Sequence, residues 1–291
     1  GKKVTVPVSI MWFRQDLRVN DNPALNAACD MGKILPIYIY DDTTPDGRVP
    51  GSASQWWLHH SLTSLNDRLN GHLKIFKGDP KVLIPKIMEA IKAKAIFWNR
   101  CYEPWQINRD KEIKKQLIDS DFEAYSSNGS LLWEPMKVLK KDGTPYKVYT
   151  PYYRNGCLKI EEPRYPKAPP ARITYADDEY KDDGLDALNL LPEIKWDSTI
   201  SKMWKPGEEG AADNLSEFIQ HAARQYKDGR DIPSMKGTSR LSPHLHFGEV
   251  SPNQVWYAIK DKFGSTEDKS IDTYLSELGW REFSYYLLFH F

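Results

Sequence analysis

Cysteine is scarce in this 291-residue chain. Cys29, Cys101 and Cys157 stand far apart with no C-x-x-C spacing. A disulfide framework and a cysteine-bound zinc are therefore not indicated, and a reducing, cytoplasmic compartment is expected. Net charge is also absent, since 40 Lys and Arg balance 40 Asp and Glu. Without a whole-chain basic surplus, any contact with nucleic acid has to come from a local patch. No apolar run has the length and purity of a membrane span, and the opening residues do not read as a signal peptide. Three common motifs are missing as well. There is no G-x-G-x-x-G after the first strand, no G-x-x-x-x-G-K-[ST] and no G-x-S-x-G, so the ordinary dinucleotide fingerprint, the Walker loop and the hydrolase elbow are not supported. His59 and His60 lack a partner at metal-ligand spacing. Aromatic residues, by contrast, are plentiful at 12 %, with ten Trp, in a chain whose 40 % hydrophobic and 27 % charged residues mark it as globular. Such residues build large cores and also stack flat ligands.

Strand-like and helix-like segments alternate through the first half. Strands are expected at Val4–Phe13, Ile34–Tyr40, His72–Phe76, Ala95–Trp98 and Phe122–Tyr125. Helices are expected at Ala24–Met31, Ala53–Leu69, Val82–Ala93 and Arg109–Ile118. The alternation predicts an α/β fold with a doubly wound parallel sheet. Beyond Tyr153 the character changes. Residues 161–170 hold four prolines and residues 175–183 are acidic, which predicts a long connection lying on the surface. From Ala211 onward only helical spacing appears, over Leu215–Tyr226, Pro252–Phe263 and Thr273–Phe291. The last seven residues are almost wholly apolar, which leads to the expectation that the chain is a piece of a longer protein.

Four segments could carry chemistry. Gly237–Glu249 (GTSRLSPHLHFGE) places a glycine, three hydroxyls and Arg240 together, a combination suited to cradling phosphate; its alternative reading is a Ser/Thr-rich turn that starts a helix. Tyr226 closes a helix, and Arg230 follows beside Gly229, where it could meet a nucleic-acid phosphate or simply face solvent. Glu277, Trp280 and Arg281 fall at i, i+3 and i+4, so a carboxylate, an indole and a guanidinium can share one helix face. That face could receive a flat polar base, or it could be a helical salt bridge beside a core Trp. Finally, Trp12–Arg18 (WFRQDLR) follows the first strand, at the strand end where open α/β sheets bind ligands.

Taken together, Trp12–Leu25 (WFRQDLRVNDNPAL), Tyr149–Tyr153 (YTPYY), Gly237–Glu249 and Glu277–Phe283 (ELGWREF) resemble the photolyase/cryptochrome family. They occur in the family's order and span nearly the whole chain. The resemblance implies a Rossmann-like antenna domain over 1–153, an interdomain connector over 154–210, and the first part of an all-α FAD-binding domain over 211–291. It implies that Tyr226, Thr238, Ser239, Arg240, Leu241, Ser242, Tyr274 and Arg281 hold FAD. It also implies that Arg230 contacts DNA, and that Glu277 and Trp280 receive a flipped pyrimidine dimer.

The implied activity is light-driven splitting of cyclobutane pyrimidine dimers by electron transfer from reduced FAD, by a monomer acting on UV-damaged DNA in the cytoplasm or at a bacterial nucleoid. Ser242–Glu249 is most similar to bacterial dimer photolyases, and the joint presence of Glu277 and Trp280 favours repair. The alternatives are a cryptochrome-type blue-light receptor without repair activity, and a truncated nucleotide-binding module. A second, antenna chromophore would be a folate, a deazaflavin or a flavin. Glu103–Gln106 (EPWQ) lacks the Asn-Glu pair that some folate-binding members carry there, which argues against that mode of folate binding.

Overall fold

The computed structural model describes residues 5–43, 51–176, 179–191, 197–229, 240–264 and 269–291. Arg230, Thr238 and Ser239 lie outside the described residues.

Five parallel strands form one sheet: β1 (Val8–Phe13), β2 (Lys33–Tyr40), β3 (Lys74–Lys77), β4 (Ala95–Asn99) and β5 (Glu123–Ser127). Their spatial order is β3-β2-β1-β4-β5. Helices α1 (Pro23–Met31), α2 (Ser52–Arg68), α3 (Pro80–Ala90) and α4 (Pro104–Asp119) connect them. Successive strand residues point to opposite faces. Met11 and Phe13 of β1, with Ala95 and Phe97 of β4, pack beneath α1 and α2. Ile10, Trp12, Ile96 and Trp98 pack beneath α3 and α4. The expected doubly wound sheet is thus present, and it explains why the strands read as unbroken apolar runs.

Several boundaries differ from the sequence reading, each for a local reason. Strand β1 starts at Val8, because Pro7 has no N–H for a ladder. Helix α4 starts at Pro104 rather than Arg109, with proline in the first turn, where its missing N–H costs nothing. The helix expected over Leu215–Tyr226 is α7, Glu208–Lys227, since α6 spans Asp197–Met203. Its first turn carries Glu208 and Glu209, favourable at a helix N-terminus but without the apolar stripe that reveals a helix in sequence. Before these lies a helical stretch over 149–160, α5, whose central turn Tyr152–Cys157 has the wider π-helical hydrogen bonding. After α7 come α8 (Ser242–His246), α9 (Pro252–Phe263) and α10 (Lys269–His290).

The connecting stretch is pinned to the sheet. Ile34 donates its N–H to Thr174 and accepts from Ala176. Ile75 donates to Asp182 at 2.8 Å and Lys77 to Asp183 at 2.9 Å. The acidic run therefore satisfies backbone donors on the open side of β3, an edge that would otherwise be free to pair with another chain.

The helical region has its own core, and residues 132–157 belong to it. Trp133, Tyr146, Tyr149, Tyr152 and Tyr153 pack with Phe218, Trp256, Tyr274, Leu278 and Tyr286.

Candidate functional site

The strand end at Trp12–Arg18, read from sequence as a ligand position, is filled by the protein itself. Arg18 is 1 % exposed and donates to the carbonyls of Asp21, Gly129 and Gly248. Leu17 N–H donates to Phe247 O at 3.2 Å. The buried carboxylate of Glu208, from α7, accepts from the N–H groups of Val19 and Asn20. Asp21 accepts from Ser251 Oγ and from Arg164, and so ties the connecting stretch to both regions. Burial by itself would raise the Asp21 carboxyl, but Arg164, Arg18 and Ser251 together hold it below the usual carboxylate value. Gly248, at φ +71°, allows this approach; a Cβ there would sit 1.9 Å from Gln15 O.

A cavity of about 480 Å³ lies between residues 240–246 and α10. Arg240, Leu241, Ser242, Glu277 and Arg281 line it together with Trp204, Leu245, His246 and Tyr285. The structure therefore brings five of the sequence-selected residues to one place. Arg240 stacks its guanidinium on Trp204, 4.1 Å from the ring centroid, and donates to Met203 O. Arg281 donates to Ser130 O at 3.0 Å. His246 is held below its ordinary pKa, first by burial and then by the Arg281 charge, which keeps the imidazole neutral at neutral pH.

Three other selected residues lie apart from the cavity lining. Tyr226 is 40 % exposed and meets Phe263 edge-on at 5.7 Å. Tyr274 is buried and stacked on Phe218 at 4.6 Å, and its hydroxyl has no partner among the described residues. Trp280 is 49 % exposed, one step round α10 from Glu277 and Arg281, and its indole stacks on Tyr149 at 3.9 Å. The face expected to hold all three is divided: the carboxylate and guanidinium turn to the cavity, and the indole turns to the tyrosine. Gly279 makes this possible, because a Cβ would come 2.6 Å from Tyr149 Oη and 2.8 Å from the Tyr153 ring.

Sequence reasoning missed Trp204, Tyr285 and Glu282. Tyr285 follows Arg281 by four residues and Glu277 by eight, so the helical stripe could have revealed it. Trp204 stands alone in its segment and carried no signal. Glu282 is 1 % exposed and accepts from the N–H groups of Leu132 and Trp133. Its other oxygen has no partner among the described residues. Burial raises this carboxyl to about 7, against the pull of Arg281 and the two backbone donors.

The DNA photolyase family model matches residues 9–171. The chain is 40 % identical over 99 % of its length to a deoxyribodipyrimidine photo-lyase from Agrobacterium fabrum, covering 60 % of that protein. It is 32 % identical over 97 % of its length to cryptochrome-2 from Arabidopsis thaliana, covering 49 % of it. Among solved structures, a bacterial class III photolyase from Agrobacterium tumefaciens superposes with a TM-score of 0.88 at 38 % identity, over all of this chain and 60 % of that one. The chain thus spans about half to three-fifths of the length of these relatives.

Proposed function

Because the chain belongs to the DNA photolyase family, we propose that it serves light-driven repair of cyclobutane pyrimidine dimers in DNA, with FAD as cofactor. The observation that carries this reading is the single cavity that gathers Arg240, Leu241, Ser242, Glu277 and Arg281 from two distant segments.

The cavity fits such a group. Trp204, Leu241 and Tyr285 give apolar and aromatic walls suited to a flat ring, and Arg240 with Ser242 offers a cation and a hydroxyl suited to phosphate oxygens. Thr238 and Ser239 belong to the same hydroxyl-rich segment, and the family resemblance extends cofactor binding to Tyr226 and Tyr274. The chemistry a reduced flavin supplies when bound is light-driven electron donation to the dimer. The chain's own residues bind and orient. Glu277 accepts hydrogen bonds from the extruded base edge, and the exposed indole of Trp280 stacks on the dimer, which leaves the duplex more cheaply than paired bases do. Arg230 contacts a phosphate, so affinity falls as salt rises. The α/β region is the place for a second chromophore, a folate, a deazaflavin or a flavin.

Identity to a plant cryptochrome supports a second reading, a blue-light receptor without repair. One experiment separates the two. The complete protein is given an oligonucleotide with one thymine dimer, in light and in darkness. Light-dependent loss of the dimer, abolished by Glu277→Ala, supports repair; flavin photochemistry with the dimer intact supports the receptor.

A further inference from the structure

A buried chain of hydrogen bonds runs from α2 to the wall of the cavity. The carboxylate of Glu249 accepts from Trp57 Nε1 at 3.2 Å and from Gly207 N–H at 2.6 Å. It also meets His244 Nδ1 at 2.7 Å, and both of these side chains are fully buried. The far ring nitrogen, His244 Nε2, lies 3.1 Å from Asn214 Nδ2. The same Asn214 nitrogen lies 3.3 Å from Arg240 O.

Only one assignment of protons satisfies every contact. A carboxylate accepts, so His244 carries its proton on Nδ1 and gives it to Glu249. Nε2 is then bare and accepts. The Asn214 amide nitrogen has two hydrogens, one for His244 Nε2 and one for Arg240 O. Turning the amide over would set its oxygen against the Arg240 carbonyl. Arg240 needs such a hold, because its φ is +53°, a conformation that non-glycine residues seldom adopt unaided.

We propose that Glu249, His244 and Asn214 form a positioning relay that fixes the backbone of Arg240, and through it the guanidinium at the cavity wall. The relay rests on the flavin reading of the cavity, since FAD is the ligand whose phosphates Arg240 would meet. None of its three members touches the cavity; they act through Arg240.

The complete protein, stripped of flavin, tests this with the near-isosteric Asn214→Asp, which keeps shape but cannot donate. FAD affinity is expected to fall about tenfold, the melting temperature to stay close to that of the parent, and the 15N spectrum of the parent's His244 to show the Nδ1–H tautomer. Unchanged affinity overturns the relay, and so does a parent His244 that carries its proton on Nε2. Asn214→Ala, which removes the amide without adding charge, is expected to lose the same affinity and serves if the Asp variant does not fold; full affinity there also overturns the relay. A parent protein that takes up no FAD overturns the flavin reading itself, and the relay's role with it.

Discussion

Trp280 lies flat on Tyr149, with ring centroids 3.9 Å apart and planes 17° from parallel, leaving half of the indole exposed. Tyr149 belongs to α5 and Trp280 to α10, so the contact joins elements far apart in sequence. It also presents the indole's other side to solvent, where a flat ligand could stack.

Trp280→Ala should abolish dimer repair in the complete protein while leaving bound flavin unchanged, because the indole is outside the cavity lining. Absorption spectra and a light-dependent repair assay on the same sample check both halves. Full repair in this variant would overturn the placement of the dimer on Trp280.

Gly279→Ala should disturb the same stack from below. A methyl group would collide with Tyr149 Oη and the Tyr153 ring. Overpacking of this kind costs about 1–3 kcal/mol. The expected outcome is a lower melting temperature and a rise in the exposure of Trp280, read by acrylamide quenching of fluorescence.

Gly248→Ala should be more damaging. The residue sits at φ +71°, and the new Cβ would meet backbone rather than a movable side chain. Strain and clash together are expected to cost roughly 3–5 kcal/mol. Chemical denaturation measures this directly, and a loss below 1 kcal/mol would mean the interface can shift. Arg18→Met, which leaves the carbonyls of Asp21, Gly129 and Gly248 without their buried donor, should fall in the same range.

Two carboxylates give stability opposite dependence on pH. Asp21 is held below its ordinary 3.8, so its contribution is present above about pH 4 and is lost as pH falls further. Glu282 is raised from 4.5 to about 7, so the folded chain binds its proton more tightly than the unfolded one. Its contribution is present below pH 4.5 and is lost as pH rises to about 7. At 1.36 kcal/mol per pH unit this amounts to about 3 kcal/mol. Glu282→Gln should therefore flatten the fall in melting temperature between pH 5 and 7, and an unaltered profile would remove Glu282 as its source.

The near-continuous apolar runs at Val4–Phe13 and Ala95–Trp98 were enough to announce a sheet covered on both faces, because an unbroken run leaves neither face of a strand for solvent. The helix start at Glu208 was not legible, since its first turn serves a distant partner, the N–H groups of Val19 and Asn20. The motif Gly237–Glu249 pointed to the cavity, but its spacing could not reveal that Glu249 and His244 turn inward while Ser242 turns to the cavity. Helical spacing put Glu277, Trp280 and Arg281 on one face; only the approach of Tyr149, allowed by Gly279, divided them. Sequence alone was sufficient for the fold class and the family, since periodicity and motif order are carried along the chain. Which of those side chains share a cavity was decided in three dimensions, because Trp204, residues 240–246 and α10 meet only once the helices have packed.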